Sequence, residues 1–383
     1  MYKLDRIVFA ISLALAATMV ATAQTKSFTP VEGASLKAKI DNAMAQGRTN
    51  APAGRFWVGY QFEVRPGVAI DFEIVDSSGT ISISNDGWSM MSDARYETRE
   101  LGFFLMFETA REQFTRAEVY NLRREHQFSG YPVYWAGKAT NEESLNYLKS
   151  IIDSNAPEMN RLADRATFAV ALHDDVRVEA MLIDLIKKQI AETTRSRAIY
   201  WLGFTPESSA KNAFLADIVR NQRESSDARQ QAMSALGMSR AATTLPLLEN
   251  FYETMTSRDL RRSALGGISR NDNRDAAATY LIGVLQNEKD LELRKTAILG
   301  LGRVGGEKSL STLTNILDSS SEVELQRQAV LAIGRRPKDE AVPILIRTAR
   351  NHPKIEVRRL AVQVLGRTND ERALALFNEL LAK

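Results

Sequence analysis

Few residues in this chain have the chemistry to hold a metal or move a proton. His126, His173 and His352 are its three histidines, and it has no cysteine. A zinc or facial-triad centre needs at least three suitably spaced ligands. The run His173-Asp174-Asp175 sets carboxylates beside an imidazole, but it falls in a predicted turn between helices, with no second histidine near it. It reads as a solvated turn. Gly87-Trp88-Ser89-Met90-Met91 begins like a nucleophile elbow, yet lacks the final glycine and a strand-to-helix setting. Neither an H-E-x-x-H string nor a P-loop occurs. Catalytic, cofactor and metal residues are therefore left unassigned, and no cofactor is expected. One string does fit a cofactor pattern: Gly300-Leu301-Gly302-Arg303-Val304-Gly305 is a literal G-x-G-x-x-G. A dinucleotide fingerprint of that kind follows a strand, so its meaning depends on what precedes it.

Cations offer a second chemistry, the recognition of anionic or acidic surfaces. Arg195, Arg229, Arg261, Arg294 and Arg358 recur at one position, with Gln326 departing from it. In the first turn of a helix a cation opposes the dipole at a cost of roughly 0.3–1 kcal/mol, which implies a compensating partner. A ladder to acids such as Asp227, Asp259 and Asp290 is expected; an anion-binding wall is the alternative. The next position holds Gln230, Arg262, Lys295, Arg327 and Arg359, mostly cationic and never acidic. Its surface is expected to be positive, either as solvated helix charges or as a seat for an acidic partner. A third series, Arg270, Arg303, Arg335 and Arg367, follows the closing position of the same segments. Cations there complement a helix C-terminus; a basic ridge is the other reading.

These series exist because the chain repeats. "LRKTAILGLG" (293–302), "LQRQAVLAIG" (325–334) and "VRRLAVQVLG" (357–366) share a pattern with "ARQQAMSALG", "LRRSALGGIS" and "TRSRAIYWLG". Their central alanines are Ala198, Ala232, Ala264, Ala297, Ala329 and Ala361, spaced 34, 32, 33, 32 and 32 by subtraction, and a degenerate copy places Ala166 before them. A second apolar stripe follows each copy, with Leu245 and Leu248, Ala277 and Tyr280, or Leu310 and Leu313 on one helix face. Pro246 and Pro343 fall near the start of that helix, where proline is tolerated. The repeat is a helix pair of about 32 residues. A single pair cannot bury its stripe, so pairs stack into a curved solenoid with one core. Gly302 then shares its place with Gly203, Gly237, Gly334 and Gly366, as a left-handed residue closing a helix. A helix precedes the glycine string, so it is not a nucleotide site.

The N-terminal part differs. Lys3 and Arg6 precede the apolar run 7–20, and Ala21-Thr22-Ala23 closes it. Basic start, short apolar core and small-residue end predict a signal peptide at 1–23, cut after Ala23, and hence a periplasmic or secreted protein without a membrane span in its mature form. Residues 24–54 are read as a short helix (35–46) and linker, broken by "GRTNAPAG". Alternation from Arg55 onward predicts a half-buried antiparallel meander over 55–137, with further strands at 102–108, 116–122 and 132–136. A connecting helix at 138–160 leads into repeats over 161–383. Tyr131, Tyr134 and Trp135 in "GYPVYWAG" fit no helical stripe. They are expected to cover the end of the first helix pair, or to form a partner-binding hot spot.

The pattern V/L-R-x-x-A-x-x-x-L/I-G resembles the short HEAT repeat of phycobilisome-lyase-type HEAT proteins, from about Leu162 to Lys383. The resemblance implies an all-α, armadillo-like solenoid of about seven helix pairs behind a small β domain, an α+β multidomain chain. It also implies protein or ligand binding on a concave face, mostly without enzymatic activity. A bilin-lyase role transfers poorly to an exported protein. The expected function is an exported, non-enzymatic interaction scaffold; the alternative is an enzyme or regulatory subunit with its active site in the β domain. The partner is expected to be a protein, an acidic one if Arg262, Lys295, Arg327 and Arg359 bind it, with Tyr134 and Trp135 as a second candidate surface. Export and a net charge of only +3 argue against nucleic acid.

Overall fold

A computed structural model describes residues 28–51, 54–70, 73–75, 81–83, 88–90, 98–154, 160–188 and 190–382. The signal segment and its cleavage site lie outside the described residues, as do Gly87 and Met91 of the elbow-like string. The chain divides into two compact units, Met1–Thr205 and Pro206–Lys383.

The first unit is built on a five-stranded sheet of order β1-β9-β2-β7-β8. These strands are β1 (Thr29–Pro30), β2 (Arg55–Glu63), β7 (Glu100–Glu108), β8 (Gln113–Asn121) and β9 (Val133–Lys138). The sheet is mixed, not antiparallel throughout: β9 runs parallel to both β2 and β1. β3 (Val68–Ile70) pairs with β6 (Trp88–Met90), and β4 (Glu73–Val75) with β5 (Ile81–Ile83), each as a separate two-stranded ladder. The expected meander does not run on from β2: β4–β5 and β7–β8 are antiparallel neighbours in sequence, but β2 does not pair with β3. The partner of β2 is β7, in register from Arg55 opposite Glu108 to Glu63 opposite Glu100. The reason lies in burial. Both strands are buried on two faces, including Trp57, Val58, Phe103 and Phe104, and a two-sided apolar strand is stable only at the centre of a covered sheet.

One face carries Phe56, Tyr60, Phe103 and Phe107, and helices cover it. Helix α1 (Leu36–Asn50) runs on through Gly47, past its expected end, and starts from Ser35, whose side chain accepts from the Ala38 amide. Helix α2 (Asn141–Asp153) begins with a capping box between Thr140 and Glu143. The opposite face holds Trp57 and Phe104 in a cluster with Phe28, Leu122, Phe128 and Val133. Helices α3 (Asn160–Leu172), α4 (Arg177–Lys187) and α5 (Glu192–Leu202) complete this unit.

The second unit is a stack of helices. In order they are α6 (Ser209–Arg220), α7 (Ser226–Leu236), α8 (Leu245–Thr254), α9 (Arg258–Ile268), α10 (Arg274–Asn287), α11 (Leu291–Val304), α12 (Gly306–Ser319), α13 (Val323–Ile333), α14 (Lys338–Asn351), α15 (Ile355–Leu365) and α16 (Glu371–Leu381). First and second helices of a pair pack together, and the second helices α7, α9, α11, α13 and α15 stack on one another. Counting α2 with α3 and α4 with α5, the described residues hold seven pairs and a final helix. All seven central alanines, Ala166 to Ala361, are fully buried. Pro246 does occupy the first turn of α8, whereas Pro343 lies inside α14, which starts earlier than its spacing suggested.

The repeated glycine has another cause than a left-handed cap. Gly203, Gly237, Gly334 and Gly366 do follow helices, but in the right-handed region, with φ of −61°, −70°, −61° and −61°. Gly302 lies inside α11, and it is Gly305, at φ 83°, that closes the helix. At Gly237, Gly302 and Gly334 glycine permits close stacking, whereas a Cβ on Gly366 would meet only ordinary contacts. A Cβ on Gly237 would lie 2.8 Å from the Gly267 Cα, and one on Gly302 would lie 2.5 Å from the Ala332 carbonyl oxygen. The G-x-G-x-x-G string is thus the end of a packed helix.

Candidate functional site

The arginines in the first turn of each second helix do not form the expected ladder to Asp227, Asp259 and Asp290. They reach back to the end of the helix before them. Arg195 Nε donates to the Ile186 carbonyl at 2.8 Å, Arg229 Nε to Val219 at 2.9 Å and Arg261 Nε to Tyr252 at 3.0 Å. Arg358 donates to the His352 carbonyl at 2.8 Å. Gln326, the departure in sequence, makes the same kind of bond to Leu317 at 2.9 Å. Orphan carbonyls at a helix C-terminus are the negative end of its dipole. They compensate the cation that the next helix places at its own positive end. The acids are engaged elsewhere: Asp290 with Arg258, and Asp259 with Arg262. Acids are reached as well, though not the expected ones: Arg261 pairs with Glu288 at 2.5 Å, Arg294 with Glu322 at 2.7 Å, and Arg195 lies 4.0 Å from Glu192.

The neighbouring row occupies consecutive stacked helices of the second unit: Arg262 on α9, Lys295 on α11, Arg327 on α13 and Arg359 on α15. Each of the first three is held by the acid three residues earlier, Asp259 at 3.0 Å, Glu292 at 3.0 Å and Glu324 at 3.5 Å. A row of acids therefore runs beside the row of cations. Exposed i,i+3 pairs of this kind contribute about 0.5 kcal/mol or less, so the acids hold the row only weakly.

The third series reaches one repeat backwards. Arg270 Nε donates to the Gly237 carbonyl at 2.8 Å, capping the helix of the previous pair, and Arg303 donates to Ser269 Oγ at 2.9 Å. Arg335 and Arg367 are exposed.

Tyr134 and Trp135 are separated by the pleat of β9. Tyr134 is buried on the helix-covered face, edge-on to Phe56, and its hydroxyl accepts from Asn50 at 3.1 Å. Trp135 packs on the other face with Phe28 and Phe104. They do not form one joint surface. Nor do they cover the first helix pair; that contact is made by β8, which packs on α3, and by the residues just after β2, where the Arg65 amide donates to the Leu172 carbonyl and Val64 bridges His173.

His173 is not in a solvated turn. It is buried, stacked on Phe62 at 4.4 Å, and its Nδ1 lies 2.7 Å from the Ala169 carbonyl. A carbonyl only accepts, so Nδ1 carries the proton and Nε2 is free to accept. Ser144 Oγ sits 2.8 Å from Nε2, and the Tyr60 hydroxyl 3.0 Å from Ser144 Oγ. Tyr60 thus donates to Ser144, Ser144 to His173, and His173 to the backbone. Burial, above all, lowers the imidazole pKa to about 4, keeping the relay neutral. A serine donating to an imidazole is the geometry of an activated nucleophile, but Ser144 is 0% exposed. The relay joins β2, α2 and the end of α3 as a clasp. Sequence reading missed Ser144 and Tyr60, because nothing local to either shows that they meet. Among the described residues no cluster of His, Cys, Asp or Glu is arranged to hold a metal.

Residues 253–324 and 310–383 match the HEAT repeats family. No curated protein matches the chain. Similar solved structures include human deoxyhypusine hydroxylase in complex with glycerol, 17% identical over 62% of this chain and 90% of that one, with a TM-score of 0.32. The complex of CpcE and CpcF of phycocyanin lyase from Nostoc is 14% identical over 62% and 92%, at 0.35. YibA of Escherichia coli is 13% identical over 63% and 89%, at 0.38. At such values no activity passes from them to this chain. Residues 253–383 thus carry HEAT repeats, stacked as a solenoid of helix pairs in the second unit, and such repeats suggest protein–protein interaction.

Proposed function

We propose that this HEAT-repeat protein is an exported, non-enzymatic scaffold that binds a protein partner across the second helices of its stacked pairs. The observation that carries the reading is the row Arg262, Lys295, Arg327 and Arg359, which repeats one exposed or half-exposed side chain on four consecutive stacked helices. Packing does not explain its regularity, since the buried alanines and glycines already set the stack. The acids Asp259, Glu292 and Glu324 neutralise the row only through weak pairs, so an acidic partner competes for the cations and gains affinity chiefly through association rate. Export rests on the basic, apolar and small-residue parts of segment 1–23. Reversing the row's charge while recording partner capture and its salt dependence tests the proposal.

The second reading, catalysis or enzyme regulation in the β domain, has one observation in its favour, the 2.8 Å approach of Ser144 to His173. It requires a substrate to reach a serine on the buried face of α2. Replacing Ser144 separates the two readings, because a clasp residue alters stability and leaves partner capture intact.

A further inference from the structure

Arginines from three successive repeats meet around one cavity of the second unit. It measures about 250 Å3, and Arg240, Arg270, Arg274 and Arg303 line it above buried Ser269 and Asn271. The segments that follow α7 and α9, the start of α10 and the end of α11 bring them there. Asn271 builds the floor by donating to the Ala241 carbonyl at 2.7 Å, and its own side-chain oxygen accepts from the Asn273 amide at 2.9 Å.

The charges around the cavity do not balance. Arg240 pairs with Asp272 at 2.9 Å. Arg270 and Arg303 spend one donor each on Gly237 and Ser269, both neutral. Among the described residues no carboxylate forms an ion pair with Arg270, Arg274 or Arg303. Burial, and then the neighbouring cation, lowers the pKa of both Arg270 and Arg303; the neighbour is Arg303 for the first and Arg335 for the second. Holding like charges together in a partly desolvated pocket is unfavourable unless an anion joins them.

We propose that this cavity binds a phosphoryl group, either as inorganic phosphate or as the phosphate of a small phosphomonoester. The charge count selects it. A single carboxylate would leave two of the three unpaired guanidiniums uncompensated, whereas a phosphate near neutral pH carries close to two charges and presents several acceptor oxygens. Guanidinium forks match those oxygens in pairs. The cavity also has room, since a water molecule takes about 30 Å3 of liquid volume. The site is separate from the cation row and does not depend on the scaffold reading.

Calorimetric titration of the full chain with inorganic phosphate, with glycerol phosphate, and with chloride and acetate at matched ionic strength tests the assignment. Saturable binding of phosphate or its ester, absent with chloride and acetate, is the expected result. Tighter binding of glycerol phosphate identifies an ester as ligand, and tighter binding of inorganic phosphate identifies the free ion. Arg303→Gln and Arg274→Gln should each weaken binding about tenfold or more. Arg262→Gln, in the other row, should leave it unchanged. Arg274 is the decisive variant, because among the described residues no hydrogen bond depends on its guanidinium. Equal heats from acetate, no binding of either phosphate, or undiminished binding by folded Arg274→Gln and Arg303→Gln overturns the proposal.

Discussion

Gln326 Nε2 donates to the carbonyl oxygen of Leu317 at 2.9 Å, tying the start of α13 to the end of α12. His352 Nε2 approaches the same oxygen at 3.1 Å. Arg229 and Arg261 make the corresponding tie in their own pairs, so the position is conserved in role across a change from cation to amide. Gln326→Leu, at a buried site, should cost about 1–3 kcal/mol through the lost bond and a less satisfied carbonyl. Urea denaturation checks it; an unchanged midpoint would mean that the tie contributes nothing.

The relay through His173 predicts a pH dependence. Its folded pKa lies near 4 against 6.5 for the free group. Between those values the unfolded chain binds more protons, so stability rises with pH. The contribution is complete above 6.5 and is lost as pH falls towards 4, by about 3 kcal/mol in all. Unfolding midpoints taken across that window should fall further for the natural chain than for His173→Gln. Parallel curves for the two would exclude the relay as the source.

Ser144→Ala leaves the Tyr60 hydroxyl and His173 Nε2 without their shared partner. Both are buried, and an unsatisfied buried group costs about 1–3 kcal/mol. The expected variant is less stable, retains partner capture, and keeps the pH dependence, because burial of the imidazole sets that. Loss of capture with stability unchanged would favour the catalytic or regulatory reading instead.

The second unit contains its own stacked pairs and core, from Leu215 and Ala216 through Leu376. A fragment Pro206–Lys383 should therefore keep helical circular dichroism and unfold cooperatively. A fragment beginning at Leu162 loses the bonds that the residues just after β2 make to Leu172 and His173, so it should be the less stable per residue. Loss of helicity in Pro206–Lys383 would show that this unit needs the first.

The proposed export makes its own prediction. Protein recovered from the cell envelope or medium should begin at Gln24, as read by N-terminal sequencing. A chain that still begins at Met1 would remove the basis for exported function.

What could be read in the sequence was what recurs. Seven alanines at a spacing near 32 were enough to place seven buried helix contacts, because one small residue per pair is what close stacking requires. The glycines at the closing position were seen, but their reason was not. A left-handed cap and a close approach leave the same residue, and it takes the backbone angle and the approach of Gly237 to Gly267 to tell them apart. Pairing in the sheet was hidden for a related reason. Alternation marks a strand without naming its neighbour, so β2 could not be matched to β7 across the intervening segment. The relay of Tyr60, Ser144 and His173 spans 113 positions (173 − 60), and no local signal joins them. Likewise the arginine ladder announced itself as a series, while its recurring partners are backbone carbonyls that every residue possesses, with Glu288 and Glu322 added at Arg261 and Arg294.

The central claim, that a protein partner docks on the cation row, is tested most directly by one capture experiment. The mature chain and a variant carrying Lys295→Glu, Arg327→Glu and Arg359→Glu are immobilised and presented with envelope extract at low salt, then eluted with rising salt. Circular dichroism first establishes that the variant is folded, since reversal adds like charges beside Glu292, Glu324 and Glu356 at a cost of a few tenths of a kcal/mol each. The account predicts a partner that the natural chain retains at low salt, that elutes as ionic strength rises, and that the variant fails to retain. Equal retention by the folded variant would contradict it.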